Sequence, residues 1–241
     1  MSPDGPLILA LDTATRCCAV ALTQGGVEHG TVLGGLALNS RITHSRRLLT
    51  AVDWLMAELG LSWPDLDGLA VGLGPGSFTG LRIGMATAKG LAAATDLPLC
   101  GVSTLDGLAQ NSSGGQLICA VLDARKKEVY SGFYRRDERG VVSGLGPYRV
   151  LAPEQLAAEI QEPALFVGDG VLAYGPLWAK LLGNRFMPAS SHLHDPPAAA
   201  IGLLAAGQLA RGEKMDLATA VPLYVRASDA ELSLGVKKGV L

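Results

Sequence analysis

The chain has 241 residues, 49% hydrophobic and 17% charged, which excludes a disordered polypeptide and supplies enough apolar material for a substantial core. With 20 Lys and Arg against 22 Asp and Glu the formal net charge is -2, so no general attraction to nucleic acid or anionic membrane is encoded, although a local basic patch stays open. Met-Ser-Pro-Asp-Gly-Pro opens the chain without a basic stretch, Leu7–Leu11 meets Asp12 too early for a secretory leader, and no apolar run reaches bilayer length, so a cytoplasmic protein is expected.

Taken in chain order, Leu7 to Ala14 reads as a strand closing on Asp12-Thr13-Ala14-Thr15. Cys17 to Gln24 is a second strand, and Gly25-Gly26 turns the chain into a third at about Val27 to Leu33. From Thr43 to Leu59 the period becomes helical, with Leu48, Val52, Leu55 and Leu59 three or four apart, Gly60 as C-cap and Pro64 beyond it. Leu69 to Leu73 is short and unbroken, as a central strand is. A helix of small residues then runs to about Ala94, with Thr79 as its expected cap. Leu97 to Val102 reads as a strand and Ser103-Thr104-Leu105-Asp106 as the cap of a short helix.

Asn111-Ser112-Ser113-Gly114-Gly115 marks a boundary, so the expected domains are 1–110 and 111–241. Beyond it, Leu117 to Leu122 and Glu128 to Arg135 read as a hairpin, Pro153 to Ile160 as a helix, Ala164 to Val167 and Phe186 to Ala189 as strands, and Pro197 to Arg211 as a helix. This half mixes strands and helices but shows no obvious copy of the first helix pair. The tail from Ser228 to Leu241, with Lys237 and Lys238, is expected to be mobile. Cys17, Cys18, Cys100 and Cys119 lack CxxC spacing and read as buried small residues of a reducing compartment.

The most informative segment is Val71-Gly72-Leu73-Gly74-Pro75-Gly76-Ser77-Phe78-Thr79-Gly80-Leu81-Arg82-Ile83-Gly84. Glycines at this density serve either to aim backbone N–H groups at an anion or to let backbones approach closely. The three strands before it exclude a dinucleotide fingerprint. The missing Gly-Lys-Ser/Thr ending excludes a P-loop, since the next lysine, Lys89, lies well along the helix. Asp12 and Thr13 at a strand end, with the backbone at Gly74 and Gly76, are the candidate nucleotide contacts, and an ATP-dependent enzyme using Asp12, Thr13 and the Gly74–Gly80 turn is the alternative reading. Gly80, Gly84 and Ala88 make a small face suited to close helix packing, within the chain or across an interface. His44 has Leu48, not a second ligand, four residues on, and no Gly-x-Ser-x-Gly elbow is present. Asp123-Ala124-Arg125, Lys126, Lys127 and Glu128 form the densest charge cluster, either a solvated turn or a polar rim for a partner or an RNA backbone.

Asp12-Thr13, His44-Ser45, the Gly74–Arg82 run with Lys89-Gly90-Leu91, Val102–Leu105, Asp123-Ala124-Arg125 with Glu128-Val129-Tyr130, and Pro222-Leu223-Tyr224-Val225-Arg226 together resemble the bacterial TsaB (YeaZ) family of tRNA threonylcarbamoyladenosine biosynthesis proteins, over essentially the whole chain. The resemblance implies an α/β, actin/hexokinase-like (ASKHA, ribonuclease H-like) fold of two related domains with mixed sheets flanked by helices. It implies a non-catalytic subunit that pairs with the paralogous transferase TsaD and works with the ATPase TsaE to place threonylcarbamoyl on N6 of adenosine 37 in tRNAs reading codons that begin with A. No cofactor is then required by this subunit; ATP with magnesium and a metal belong to the partner subunits. The transferase holds its metal through histidines four apart, of which His44 matches one and Leu48 replaces the other. The helices would instead serve assembly, with a TsaD-like subunit or as a homodimer, through Leu48, Val52, Leu55, Gly80, Gly84 and Ala88.

Overall fold

The computed structural model describes residues 5–39, 44–114, 116–138 and 140–226, with 44–46 described by backbone alone. The His44 and Ser45 side chains and the tail from Ser228 therefore lie outside the described residues. Strand β1 (Leu7–Asp12) is buried along its whole length, as expected of an unbroken apolar run at a sheet centre. It pairs antiparallel with β2 (Cys17–Gln24), which pairs with β3 (Thr31–Asn39). The third strand lies later than Val27 to Leu33, because Gly30 donates back to Gly26 C=O at 2.7 Å and the residues between them are spent in a turn.

Helix α1 (His44–Glu58) turns Leu48, Ala51, Val52, Leu55 and Met56 onto the sheet. The chain then adds β4 (Gly68–Gly72) parallel to β1, α2 (Phe78–Thr95), β5 (Leu99–Val102) parallel to β4, and α3 (Thr104–Gln110). Ser77, not Thr79, caps α2, its Oγ accepting from Gly80 N–H, while Ser103 caps α3 as expected. The resulting order is β3-β2-β1-β4-β5.

The second half repeats that plan. β6 (Leu117–Arg125) and β7 (Glu128–Arg136) form a hairpin, extended by β8 (Val142–Gly144) and β9 (Arg149–Leu151). After α4 (Pro153–Glu159) come β10 (Ala164–Val167), α5 (Gly170–Leu182), β11 (Phe186–Pro188) and α6 (Ala198–Ala210). The order β8-β7-β6-β10-β11 matches the first sheet strand for strand, with α4 and α5 in the places of α1 and α2. The sequence reading found no such copy. α4 is only 7 residues long, and Gly175-Pro176 in the middle of α5 reads as a breaker although the helix carries Pro176 inside it. This duplicated, two-sheet α/β plan is the actin/hexokinase-like, ribonuclease H-like fold.

The last helix of each half covers the other half's sheet, so packing runs across the expected boundary at residue 110. α6 packs on β1 and β2, where Ala198, Ile201, Ala205 and Ala206 join Ile8, Ala10, Ala19 and Cys100 in one core. Gly202 brings its backbone against Thr23, leaving no room for a Cβ. α3 in turn places Leu105 and Leu108 among Ile118, Ala120 and Leu122 of the second sheet. Tyr134 and Tyr148 hydroxyls both donate to Asp106 Oδ1 at 2.8 Å, and Arg136 Nη2 donates to Gln110 C=O at 2.9 Å. The segment 211–226 also returns to the first half, burying Ala220 in the α1–α2 core. A fragment 1–110 therefore exposes the apolar rear of β1, β2, β4 and β5. Its expected behaviour in circular dichroism is no cooperative melting transition; a sharp transition would show that the first half stands alone.

Candidate functional site

The glycine-rich turn and the end of β1 lock together through short polar groups. Asp12 is wholly buried. Its Oδ1 accepts from Ala14 N–H and its Oδ2 from Thr104 O–H, each at 2.7 Å. Thr13 O–H donates to Gly80 C=O at 2.8 Å, and Ser77 N–H to Ala14 C=O at 2.6 Å. The chain turns at Gly74, φ +92°, whose carbonyl accepts from Thr104 N–H at 2.8 Å and Ser103 O–H at 3.1 Å. A Cβ at Gly72 would fall on Asp12 Oδ2, at Gly76 on Ala14 C=O, at Gly80 on Thr13 C=O, and at Gly84 on Thr13 Oγ1. The glycines are thus required because protein backbone and side chains already occupy the space beside them.

That arrangement answers the two readings of the turn. A magnesium–phosphate site needs carboxylate oxygens and N–H groups facing open space. Here both Asp12 oxygens take donors from the protein, and the Ser77 and Gly80 N–H groups point at Ala14 C=O and Ser77 Oγ. Asp12, Thr13, Gly74 and Gly76 do come together, as expected, but as a structural junction between β1, α2 and α3 that does not fit a bound nucleotide. Burial pushes the Asp12 carboxyl up from its ordinary 3.8 to about 6, opposed by the Ala14 and Thr104 hydrogen bonds. The second half carries a parallel feature at the end of β6, where Asp123 N–H donates to Asp169 Oδ1 at 2.9 Å, and burial raises the Asp169 pKa. Nearby, His194 Nδ1 accepts from Gly168 N–H at 3.3 Å, and burial lowers its pKa. Among the described residues no group of three His, Cys, Asp or Glu is placed to hold a metal ion.

The six residues expected at an interface lie inside this chain instead. Leu48, Val52 and Leu55 belong to the core beneath α1, and Ala88 packs in the same core. Gly80 and Gly84 face Thr13. Helical periodicity located the apolar stripe correctly but could not say which sheet or partner it faces, and here the chain's own sheet takes it. Among the exposed large apolar side chains are three on α1 and on β3, the outermost strand of its sheet. Trp54 is 51% exposed, and Leu49 and Val32 are each 48% exposed. Leu36, Leu38, Arg47, Thr50, Ala51 and Trp54 line an open groove of about 340 Å³ there. The signal was present in the sequence: Arg47, Thr50, Ala51 and Trp54 recur three, four and seven residues apart, a second stripe on the same helix.

The fold is thus a duplicated actin-like one, with its glycine-rich turn closed around Asp12 and Thr13 and an open apolar groove beside its first helix. The family model described as TsaD, tRNA N6-adenosine threonylcarbamoyltransferase, matches residues 37–234. The chain is 36% identical over 225 residues to the tRNA threonylcarbamoyladenosine biosynthesis protein TsaB of Escherichia coli, covering 91% of this chain and 94% of that one. It is 30% identical over 228 residues to TsaB of Bacillus subtilis, covering 93% and 96%. The solved structure of YeaZ from Pseudomonas aeruginosa superposes with a TM-score of 0.74 at 32% identity, over 91% of this chain and 99% of that one. The chain belongs to the TsaB (YeaZ) family.

Proposed function

We propose that this chain is the non-catalytic activating subunit of a complex that forms threonylcarbamoyladenosine on tRNA, and that it docks a TsaD-like transferase through the outer face of α1 and the adjoining β3. The carrying observation is the open groove lined by Leu36, Leu38 and the half-exposed Trp54, on a helix whose inner face packs on its own sheet. Exposed tryptophan at the centre of an apolar patch is the side chain most often responsible for interface affinity. Family membership supports the pathway, and the closed junction around Asp12 supports a role without a nucleotide of its own. ATP with magnesium and the metal belong in this reading to the TsaE-like ATPase and the transferase. The same face serves a homodimer when the partner is absent, tRNA is reached through the complex, and the setting is the cytoplasm.

The test is Trp54→Lys, measured by calorimetric titration into the matching TsaD-like subunit and by product formation in a mixture that also holds the TsaE-like ATPase and the adenylate-forming enzyme. The parent is expected to be required for product. The variant, folded because Trp54 is half exposed, is expected to bind at least about 30-fold more weakly, corresponding to ~2 kcal/mol. Unchanged affinity would move the docking surface elsewhere, and undiminished product without the chain would remove the activating role.

A further inference from the structure

Two family motifs far apart in sequence, Phe78–Arg82 and Pro222–Arg226, meet on one surface. Residues 214–226 strap the first half: Met215 N–H donates to Leu99 C=O at 2.8 Å, Lys89 Nζ to Ala220 C=O at 3.3 Å, and Leu223 N–H to Leu73 C=O at 2.9 Å. The strap sets Tyr224 beside Phe78, ring centroids 5.4 Å apart, and the Arg82 guanidinium lies 3.9 Å over the Phe78 ring. Phe78 and Tyr224 stay 38% and 39% exposed, and Arg82 is exposed. Two residues further on, Arg226 pairs with Glu128 at 2.9 Å, which fastens the strap to the turn end of the β6–β7 hairpin.

The tip of that hairpin is Arg125-Lys126-Lys127, all exposed, with φ of +61°, +52° and +62°. A tip of this kind is relaxed with Asn-Gly, whereas long side chains sit there under strain. Asp123 takes Arg125 and Glu128 takes Arg226, while the side chains of Arg82, Lys126 and Lys127 are exposed. The Arg226–Glu128 pair thus joins the strap that carries Tyr224 to the end of the hairpin that carries these cations, although the residues are scattered in the sequence.

We propose that this surface binds single-stranded RNA, with unpaired bases stacking on Tyr224 and the Arg82–Phe78 pair and phosphates meeting the hairpin cations. Stacking on aromatic rings and guanidinium planes requires bases that are not already paired, and the cations supply a sequence-independent attraction. The inference deepens the reading of the chain as part of a tRNA-modifying assembly and rests on it.

The experiment is fluorescence anisotropy on the full chain with a labelled single-stranded oligoribonucleotide of about 12 residues, and with the same strand annealed to its complement. The expected result is preference for the single strand, with affinity falling as salt rises. Phe78→Leu and Tyr224→Leu, which keep apolar bulk, are each expected to weaken binding at least about fivefold. Lys126→Gln combined with Lys127→Gln should flatten the logarithmic salt dependence by about 1.4. Equal affinity for the duplex, or unchanged binding by both leucine variants at the parent's melting temperature, overturns the proposal. So does a loss of TsaD-like partner binding with RNA binding intact, which would make this a protein interface. Calorimetric titration of the parent with the TsaD-like subunit separates the two readings. No association there defeats the assembly role, whereas association with no RNA binding defeats only this surface.

Discussion

Gly84→Leu is expected to cost at least about 3 kcal/mol and to lower the melting temperature by roughly 6–12 °C. The first atom of any side chain at Gly84 falls on Thr13 Oγ1, and Thr13 is held there by its bond to Gly80 C=O. Neither neighbour can yield, because Gly80 itself lies against the Thr13 carbonyl. Of the two uses open to this small face, packing within the chain or across an interface, Gly84 takes the first. Gly90 on the same helix provides the contrast: it is exposed with nothing within 4 Å of its Cβ direction. Gly90→Ala is accordingly expected to stabilise by up to ~1 kcal/mol through helix propensity alone. Differential scanning calorimetry of the two variants checks both, and a Gly84→Leu protein melting with the parent would refute the packing account.

Asp12→Asn is expected to change stability relative to the parent in a pH-dependent way. Burial holds the native pKa at about 6, above the ordinary 3.8, so the folded state binds the proton more tightly than the unfolded chain does. The stability this contributes is present in full below 3.8 and is lost as pH rises through 6. The asparagine amide resembles the protonated acid and does not titrate. The stability of the variant relative to the parent should therefore rise by about 3 kcal/mol between acid and neutral pH, independent of any fixed cost at Thr104. Urea unfolding of both proteins across that range measures it. A difference that stays flat with pH would mean that Asp12 keeps one protonation state throughout.

Much of the fold was legible because its signals are local. The apolar run of β1 closing on Asp12, the helical period of Leu48, Val52 and Leu55, the Ser103 cap and the β6–β7 hairpin all follow from neighbouring residues. What was not legible depends on pairings across long stretches of chain. The exchange of α3 and α6 between the sheets leaves no mark on either helix, since each shows only an apolar surface and not its destination. The repeat was hidden by the shortness of α4 and by Pro176. The glycine turn was correctly suspected of close packing, but its partner, the β1 end at Thr13 and Ala14, could be named only from coordinates. Trp54 was missed because the inner stripe of the same helix drew the apolar reading to itself.

The exchanged helices also set an order of events during synthesis. β1, β2, β4 and β5 are complete once residue 102 has left the ribosome, yet the helix that covers their rear face begins at Ala198. At bacterial-type elongation rates of roughly 5–20 residues per second, that apolar face waits on the order of 5–20 seconds for its cover. Throughout this interval the nascent first half is a ready substrate for holding chaperones, and a pause in translation beyond β5 prolongs its exposure.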